Sequence, residues 1–366
     1  MAISLPWMHS KDFMNSRISR ARSYLKGLDA IALSSRANVT YVSGYTGSDA
    51  VMVYTDHTAA LFVDSRNTLQ ARQESSDEVF EIKQRWEEIY DHLNDIGVKT
   101  IGIESNIIDV DTFIKMKELF KGIEITPLGK QLMYLRALKD ADEVALMKKA
   151  AKISEQALLR VLASGIVSRR EIDVAFDLEC EMRRNGASAS SFEIIVASGP
   201  RSAMPHGAAS EKIIGRGEPV VIDFGAVYRG YCSDQTVTVY TGEPDKEFVA
   251  AYEHVKQAQK QAIKTLAQGV RASHADGRAR EYLHNNGLGR FFGHGLGHGV
   301  GMEVHEMPTL SPTSDDVLAD SMVVTIEPGI YVPDKFGIRL EDMLLITDNS
   351  CQRITNLDKD AVQVIN

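Results

Sequence analysis

Four apolar segments in the C-terminal half of the chain each carry an acid where a β-strand would bury it. Pro219–Phe224 holds Asp223, Tyr231–Tyr240 holds Asp234, Met322–Glu327 ends in Glu327, and Gly337–Ile346 holds Glu341. An ionised carboxylate is costly to bury without a partner. The remedies are a cationic side chain, a raised pKa or a metal ion. A single such acid reads as a structural salt bridge. Here four fall in strands expected to share one sheet, and Arg339 is the one clear basic candidate nearby. The short, turn-rich Gly225–Gly230 predicts that the first two segments pair as a hairpin.

The stretch Gly293–Gly301 adds nitrogen to this set. It places five glycines and two histidines, His294 and His298, in nine residues. Glycine costs about 1 kcal/mol inside a helix, so open backbone lying close to something else is expected. His298, with a glycine on each side, is the expected ligand. Four carboxylates and one imidazole suit two divalent ions. Mixed oxygen and nitrogen donors favour manganese, cobalt, zinc or iron over calcium. His206, in Met204–Gly207, and His305, in Glu303–Glu306, read as proton handlers or oxyanion partners. His254, His274 and His284 lie in helical patterns and read as structural. A dinucleotide site is not supported, because no correctly spaced Gly-x-Gly-x-x-Gly opens a helix after a strand. A metalloprotease helix fails too: no glutamate follows His294, and the glycines break the helix.

The rest of the chain reads as a cover for these strands and a separate α/β region. Asp140 and Glu143 have capping-box spacing. Val144, Met147, Ala151, Leu158 and Leu162 then mark one face of a long helix stopped at Gly165. Ser168 with Glu171 is expected to start a second helix ending at Asn185–Gly186, and a third is expected from Lys246 to Gln268. Earlier, Ala30–Leu33 and Thr100–Ile103 read as strands, and Ala50–Tyr54 with Ala59–Val63 as a hairpin around Thr55–Thr58, alternating with helical patterns such as Val110–Phe120. That alternation argues for an α/β domain. Ser43–Ser48 is turn-like. A boundary near Arg136–Asp140 divides the chain into domains 1–135 and 136–366.

A net charge of −9 over 366 residues argues against a broad nucleic-acid footprint. Cys180, Cys232 and Cys351 are too few and too far apart for a disulfide framework or a cysteine zinc site, and they fit a reducing, cytoplasmic compartment. The first residues show no basic start followed by an apolar run, so no leader is expected. No stretch approaches the roughly 18 apolar residues of a membrane span.

Taken together, Asp223–Ala226, Ser233–Asp234, His294–Gly301, Val304–Pro308, Ile326–Tyr331 and Arg339–Asp342 resemble the Xaa-Pro peptidases. These are the aminopeptidase P and prolidase group, related to methionine aminopeptidase and creatinase. The resemblance implies an α+β architecture: a pita-bread catalytic domain preceded by a smaller, creatinase-like N-terminal α/β domain. The pita-bread domain is a curved, mostly antiparallel sheet covered by two pairs of helices. By the resemblance, Asp223, Asp234, His298, Glu327 and Glu341 bind two divalent ions, manganese foremost, with cobalt or zinc as alternatives. His206 and His305 match the catalytic histidines, Glu327 carries the nucleophile's proton, and His294 and Arg339 fall to the substrate pocket. The implied reaction is metal-assisted hydrolysis of Xaa-Pro peptides or dipeptides by a homodimer, with Ser43–Ser48 bounding a substrate cleft. One departure is Val237, where many relatives carry arginine. The region before residue 130 argues against a plain methionine aminopeptidase. Five intact ligands argue against a creatinase-like amidinohydrolase and against a non-catalytic binding protein that keeps the fold.

Overall fold

The computed structural model describes residues 11–365, so the first ten residues, read above for a leader, lie outside the described residues. Two compact units divide the chain after Arg136. The first is built on six strands in the order Glu78–Glu81, Ala59–Val63, Val51–Tyr54, Ala30–Leu33, Thr100–Ile103 and Glu124–Pro127. Val51–Tyr54 and Ala59–Val63 form the expected antiparallel hairpin. Its turn is held where Thr58 N–H donates to Thr55 Oγ1 at 2.9 Å. Ala30–Leu33 runs parallel to Thr100–Ile103. All four residues of Ala30–Leu33 are buried, as in a strand covered on both faces. Ala30 and Ala32 share a core with Ile89 and Leu93 of the helix Arg85–Asp95 and Met116 of the helix Val110–Leu119. Ser43–Ser48 is less of a turn than its composition suggests. Ser43 ends the helix Arg36–Ser43, and Gly44, at φ 76°, stops it in the left-handed conformation.

The second unit states one theme twice: a pair of helices and the strands beneath it. The helix Ala141–Ala163 opens on the expected capping box, Asp140 and Glu143 each accepting the other's N–H at 2.9 Å. It packs on the helix Glu171–Arg184. Ile153, Leu158 and Val161 meet Val174, Leu178 and Met182 above Val220, Ile222 and Val239 of the strands. Each such side chain contributes about 1.5–3 kcal/mol through burial. Ser168 does not cap the second helix. It sits at φ 66°, and Arg170 precedes the first turn without a side-chain cap. Glu171 turns inward instead, accepting from Ser198 N–H at 2.7 Å and Ser210 Oγ at 2.6 Å. The second pair is Lys246–Ile263 with Ala272–Asn285. Lys246–Ile263 stops short of Gln268, because Thr265 and Leu266 N–H reach back to Ala262 and Ile263 in a tighter turn.

Beneath the helices, the acid-bearing segments fall into two sheets, not one. Ile195–Ser198, Pro219–Phe224, Gln235–Thr241 and Gln363–Ile365 make the first. Glu306–Leu310, Gly297–Gly299, Val323–Ile326, Asp342–Ile346 and Cys351–Arg353 make the second. The predicted hairpin is present, with Asp223 opposite Thr236. The strands expected over Tyr231–Tyr240 and Gly337–Ile346 are interrupted at their acids, Ser233-Asp234 and Leu340-Glu341 lying outside any strand. The backbone donors explain the break at Glu341. Its N–H leaves its own ladder and donates to Thr236 O at 3.2 Å in the other sheet. Thr238 Oγ1 also meets Arg339 O at 2.9 Å and Arg339 N at 3.0 Å, in the strand Phe336–Arg339, which pairs with Gly329–Val332 as a separate two-stranded sheet. These bonds join the sheets into one curved layer, the pita-bread fold, with Asp234 and Glu341 at the seam. Among the described residues, no helix is long and apolar enough to cross a membrane. All three cysteines are free.

Candidate metal centre

The seam brings three expected ligands together directly. Asp234, His298 and Glu341 each offer a ligand atom, and these atoms lie within 4.8 Å of one another. His298 Nε2 stands 3.5 Å from both Asp234 Oδ2 and Glu327 Oε1, which draws Glu327 into the group. Asp223 enters from the strand Pro219–Phe224, and its charge acts on Asp234, Glu327 and Glu341.

The glycines around His298 are explained by close approach. A Cβ on Gly297 would lie 2.1 Å from Thr325 O, and one on Gly299 would lie 2.2 Å from Met307 O. The helix Ala272–Asn285 anchors the preceding loop. Arg280 donates to Phe292 O at 3.0 Å and His294 O at 2.8 Å, while Asp276 accepts from Leu296 N–H at 3.1 Å. His298 Nδ1 lies 3.0 Å from Gly299 O. A carbonyl only accepts, so Nδ1 carries the proton and Nε2 turns its lone pair toward the acids.

The electrostatics show what the set is suited to hold. Asp234 and Glu341 are 4% and 2% exposed. Burial, then the charges of Asp223 and Glu327, raises Asp234 well above the usual carboxylate range. Burial, then Asp234, Glu327 and Asp223, raises Glu341 in the same way. Burial raises Glu327 against the pull of Arg339. Burial, then His305, brings His298 down to about 4. Arg339 Nη2 holds Asp223 Oδ2 at 2.6 Å, leaving Asp223 Oδ1 buried without a hydrogen-bond partner. Four acids share one guanidinium, one carboxylate oxygen is unmatched, and a neutral imidazole faces them. Such a donor set fits divalent cations.

Arg339, expected in the substrate pocket, is 3% exposed. Besides Asp223 it donates to Thr236 Oγ1 at 3.1 Å, Pro205 O at 3.0 Å and Tyr331 OH at 2.8 Å. His294 Nδ1 must donate to Gly295 O at 2.7 Å, so its Nε2 accepts from Tyr331 OH at 2.9 Å. Burial, chiefly, lowers His294 to about 4. His294 is thus a neutral imidazole at the end of a hydrogen-bonded line from Asp223. His305 is exposed, and its ring stands edge-on to His298 with centroids 4.3 Å apart. His206 is exposed beyond the turn Gly199–Ala203 and makes no hydrogen bond to the cluster among the described residues.

Sequence reasoning missed Thr236, which donates to Glu341 Oε2 at 2.7 Å, and Tyr331. Signals for both existed. Thr236 and Thr238 mark a polar face on an otherwise apolar strand, and Tyr331 closes the Ile326–Tyr331 motif.

Residues 145–348 match the model of metallopeptidase family M24, and residues 17–138 match that of the creatinase/prolidase N-terminal domain. The Xaa-Pro dipeptidase of Pyrococcus horikoshii is 36% identical over 357 residues, covering 96% of this chain and 100% of the relative. Among solved structures, an X-Pro aminopeptidase from Thermotoga maritima superposes with a TM-score of 0.88 at 38% identity, over 94% of this chain and 100% of the other. A Xaa-Pro dipeptidase from Bacillus anthracis superposes with a TM-score of 0.92 at 35% identity, over 96% of this chain and 100% of the other.

Proposed function

The chain belongs to metallopeptidase family M24, and from that premise we propose that it hydrolyses the bond before proline in Xaa-Pro peptides or dipeptides. The proposal takes residues 1–135 as an N-terminal domain and 136–366 as the catalytic domain. It takes Asp223, Asp234, His298, Glu327 and Glu341 as the ligands of two divalent ions, manganese foremost. The observation that carries it is the convergence of Asp234, His298 and Glu341 within 4.8 Å among acids whose pKa values burial and mutual repulsion raise. Relatives named for both dipeptidase and aminopeptidase activity support the proline preference and leave the length of the peptide to experiment. A cytoplasmic homodimer belongs to the same reading, by the family resemblance and the cysteine usage.

When bound, the ions supply a nucleophilic water at neutral pH and polarise the scissile carbonyl. The chain's own residues do the rest. Glu327, beside His298 and able to hold a proton, takes the nucleophile's proton and passes it to the proline nitrogen as that atom leaves. His305, exposed beside His298, donates to the carbonyl oxygen as it gains charge. His206 serves as the second proton handler. His294 faces the substrate as a neutral group. A proline nitrogen offers no N–H in the scissile amide, so the ring is selected by shape.

The test compares a Xaa-Pro dipeptide, a longer Xaa-Pro peptide and their Xaa-Ala equivalents, with chelator and after manganese is restored. Chelator-sensitive cleavage is expected, with kcat/KM about 10–200-fold higher for proline over alanine. Equal kcat/KM on the two would remove the proline assignment. Full activity in metal-free protein would remove the metal.

A further inference from the structure

Gln259 lies on the helix Lys246–Ile263, is 2% exposed, and sits outside every motif read from the sequence. Its Nε2 stands 3.1 Å from each of three acceptors: Ile326 O, Leu340 O and Asp342 Oδ2. Three acceptors around one atom identify it as the amide nitrogen, which donates two hydrogens among them. Asp342 keeps the amide oriented. Its other oxygen is held by Lys359 Nζ and Thr355 Oγ1, both at 2.8 Å.

The two carbonyls belong to the peptide groups that lead into Glu327 and Glu341. The opposite ends of those peptides are also held. Glu327 N–H donates to Leu296 O at 2.8 Å in the glycine loop, and Glu341 N–H donates to Thr236 O at 3.2 Å. One side chain therefore links the two peptide planes, and through them the loop before His298 and the strand after Asp234. We infer that Gln259 is a positioning residue for the two metal ions, setting the separation of Glu327 and Glu341 from the helix-covered side of the sheet. This rests on the ligand assignment proposed above. A neutral donor suits the place. A lysine would bring a positive charge beside carboxylates that must attract cations, and a glutamate would set acceptor against acceptor.

The test uses the full chain, stripped of metal by chelator and titrated with Mn²⁺ by calorimetry, as wild type, Gln259→Met and Gln259→Asn. Gln259→Met removes the donor. Gln259→Asn keeps the amide but withdraws it by one methylene. Both are expected to bind Mn²⁺ about 10–100-fold more weakly than wild type while still melting cooperatively. A purely packing role would lower the melting temperature of the metal-free protein and leave the affinity unchanged, and that result overturns the inference. If Gln259→Met does not fold, Gln259→Asn is judged by the same criterion. Wild-type protein that takes up no Mn²⁺ would overturn the ligand assignment and this inference with it. Wild-type binding matched by the variants overturns this inference alone.

Discussion

Glu341 and His305 both lie beside His298, yet their surroundings differ. Glu341 is buried and accepts from Thr236 Oγ1 at 2.7 Å. His305 is exposed and touches His298 through its ring. A buried acid among like charges is placed to hold a cation; an exposed imidazole is placed to meet a substrate. Glu341→Ala is therefore expected to lose metal and activity together. His305→Ala is expected to keep its metal and lose about 10²–10³-fold in kcat, the scale of a missing oxyanion donor. Metal analysis and kinetics on the same preparations separate the two roles, and a His305→Ala protein isolated without its ions would undo the assignment.

Among the elements, the strand Gly297–Gly299 is closely enclosed by backbone on both sides. It is paired with both Glu306–Leu310 and Val323–Ile326. At Gly297 an added methyl would meet the Thr325 carbonyl, which is backbone and cannot swing aside. Gly297→Ala is expected to cost about 1–3 kcal/mol or more and to displace His298, so that melting temperature and metal content fall together. Gly293→Ala is the control. Nothing lies within 4 Å of its added carbon, so its stability should stay within about 0.5 kcal/mol of wild type. Equal behaviour of the two variants would show that close approach is not why the strand is glycine.

For the whole molecule, the trapped acids link folding to pH. Asp234, Glu327 and Glu341 have raised pKa values in the folded state, chiefly through burial, with Glu327 at about 8. Unfolded, they titrate near the ordinary carboxylate values of about 4. Between those limits the folded, metal-free protein holds protons that the unfolded chain releases, so stability falls as pH rises. His294 and His298 oppose this at lower pH. Their folded values, near 4, make them resist a charge that the unfolded chain accepts below about 6.5. Above that point the unfolded imidazoles lose their charge progressively and this opposition fades, which leaves roughly pH 6.5 to 8 as the window in which the three acids dominate. Metal-free protein is expected to melt at a lower temperature at pH 8 than at pH 6.5. Added manganese should raise the melting temperature more at pH 8, because ions and protons compete for the same oxygens. A metal-free melting temperature that rose across this window would contradict the raised acids.

The features legible in the sequence rest on local chemistry. The Asp140–Glu143 capping box, the hairpin at Thr55–Thr58 and the apolar run of Ala30–Leu33 each follow from residues close together in the chain. So did the suspicion about the acids, since a carboxylate inside an apolar run is anomalous wherever the run is placed. Even local cues failed where tertiary partners were stronger. Ser168 has the right spacing for a cap, but Glu171 is drawn inward to Ser198 and Ser210. The tertiary structure alone decided which groups meet. Arg339 pairs with Asp223 from 116 residues away, and Thr236 reaches Glu341 across 105. Gln259 reaches Ile326 O and Leu340 O across 67 and 81. Such pairings leave no periodic trace, because they depend on how two sheets are joined and not on the face a residue takes along its own strand or helix. The acid types were written in the chain; their gathering at one seam depends on bonds between sheets, among them those from Glu341 N–H to Thr236 O and from Thr236 Oγ1 to Glu341 Oε2.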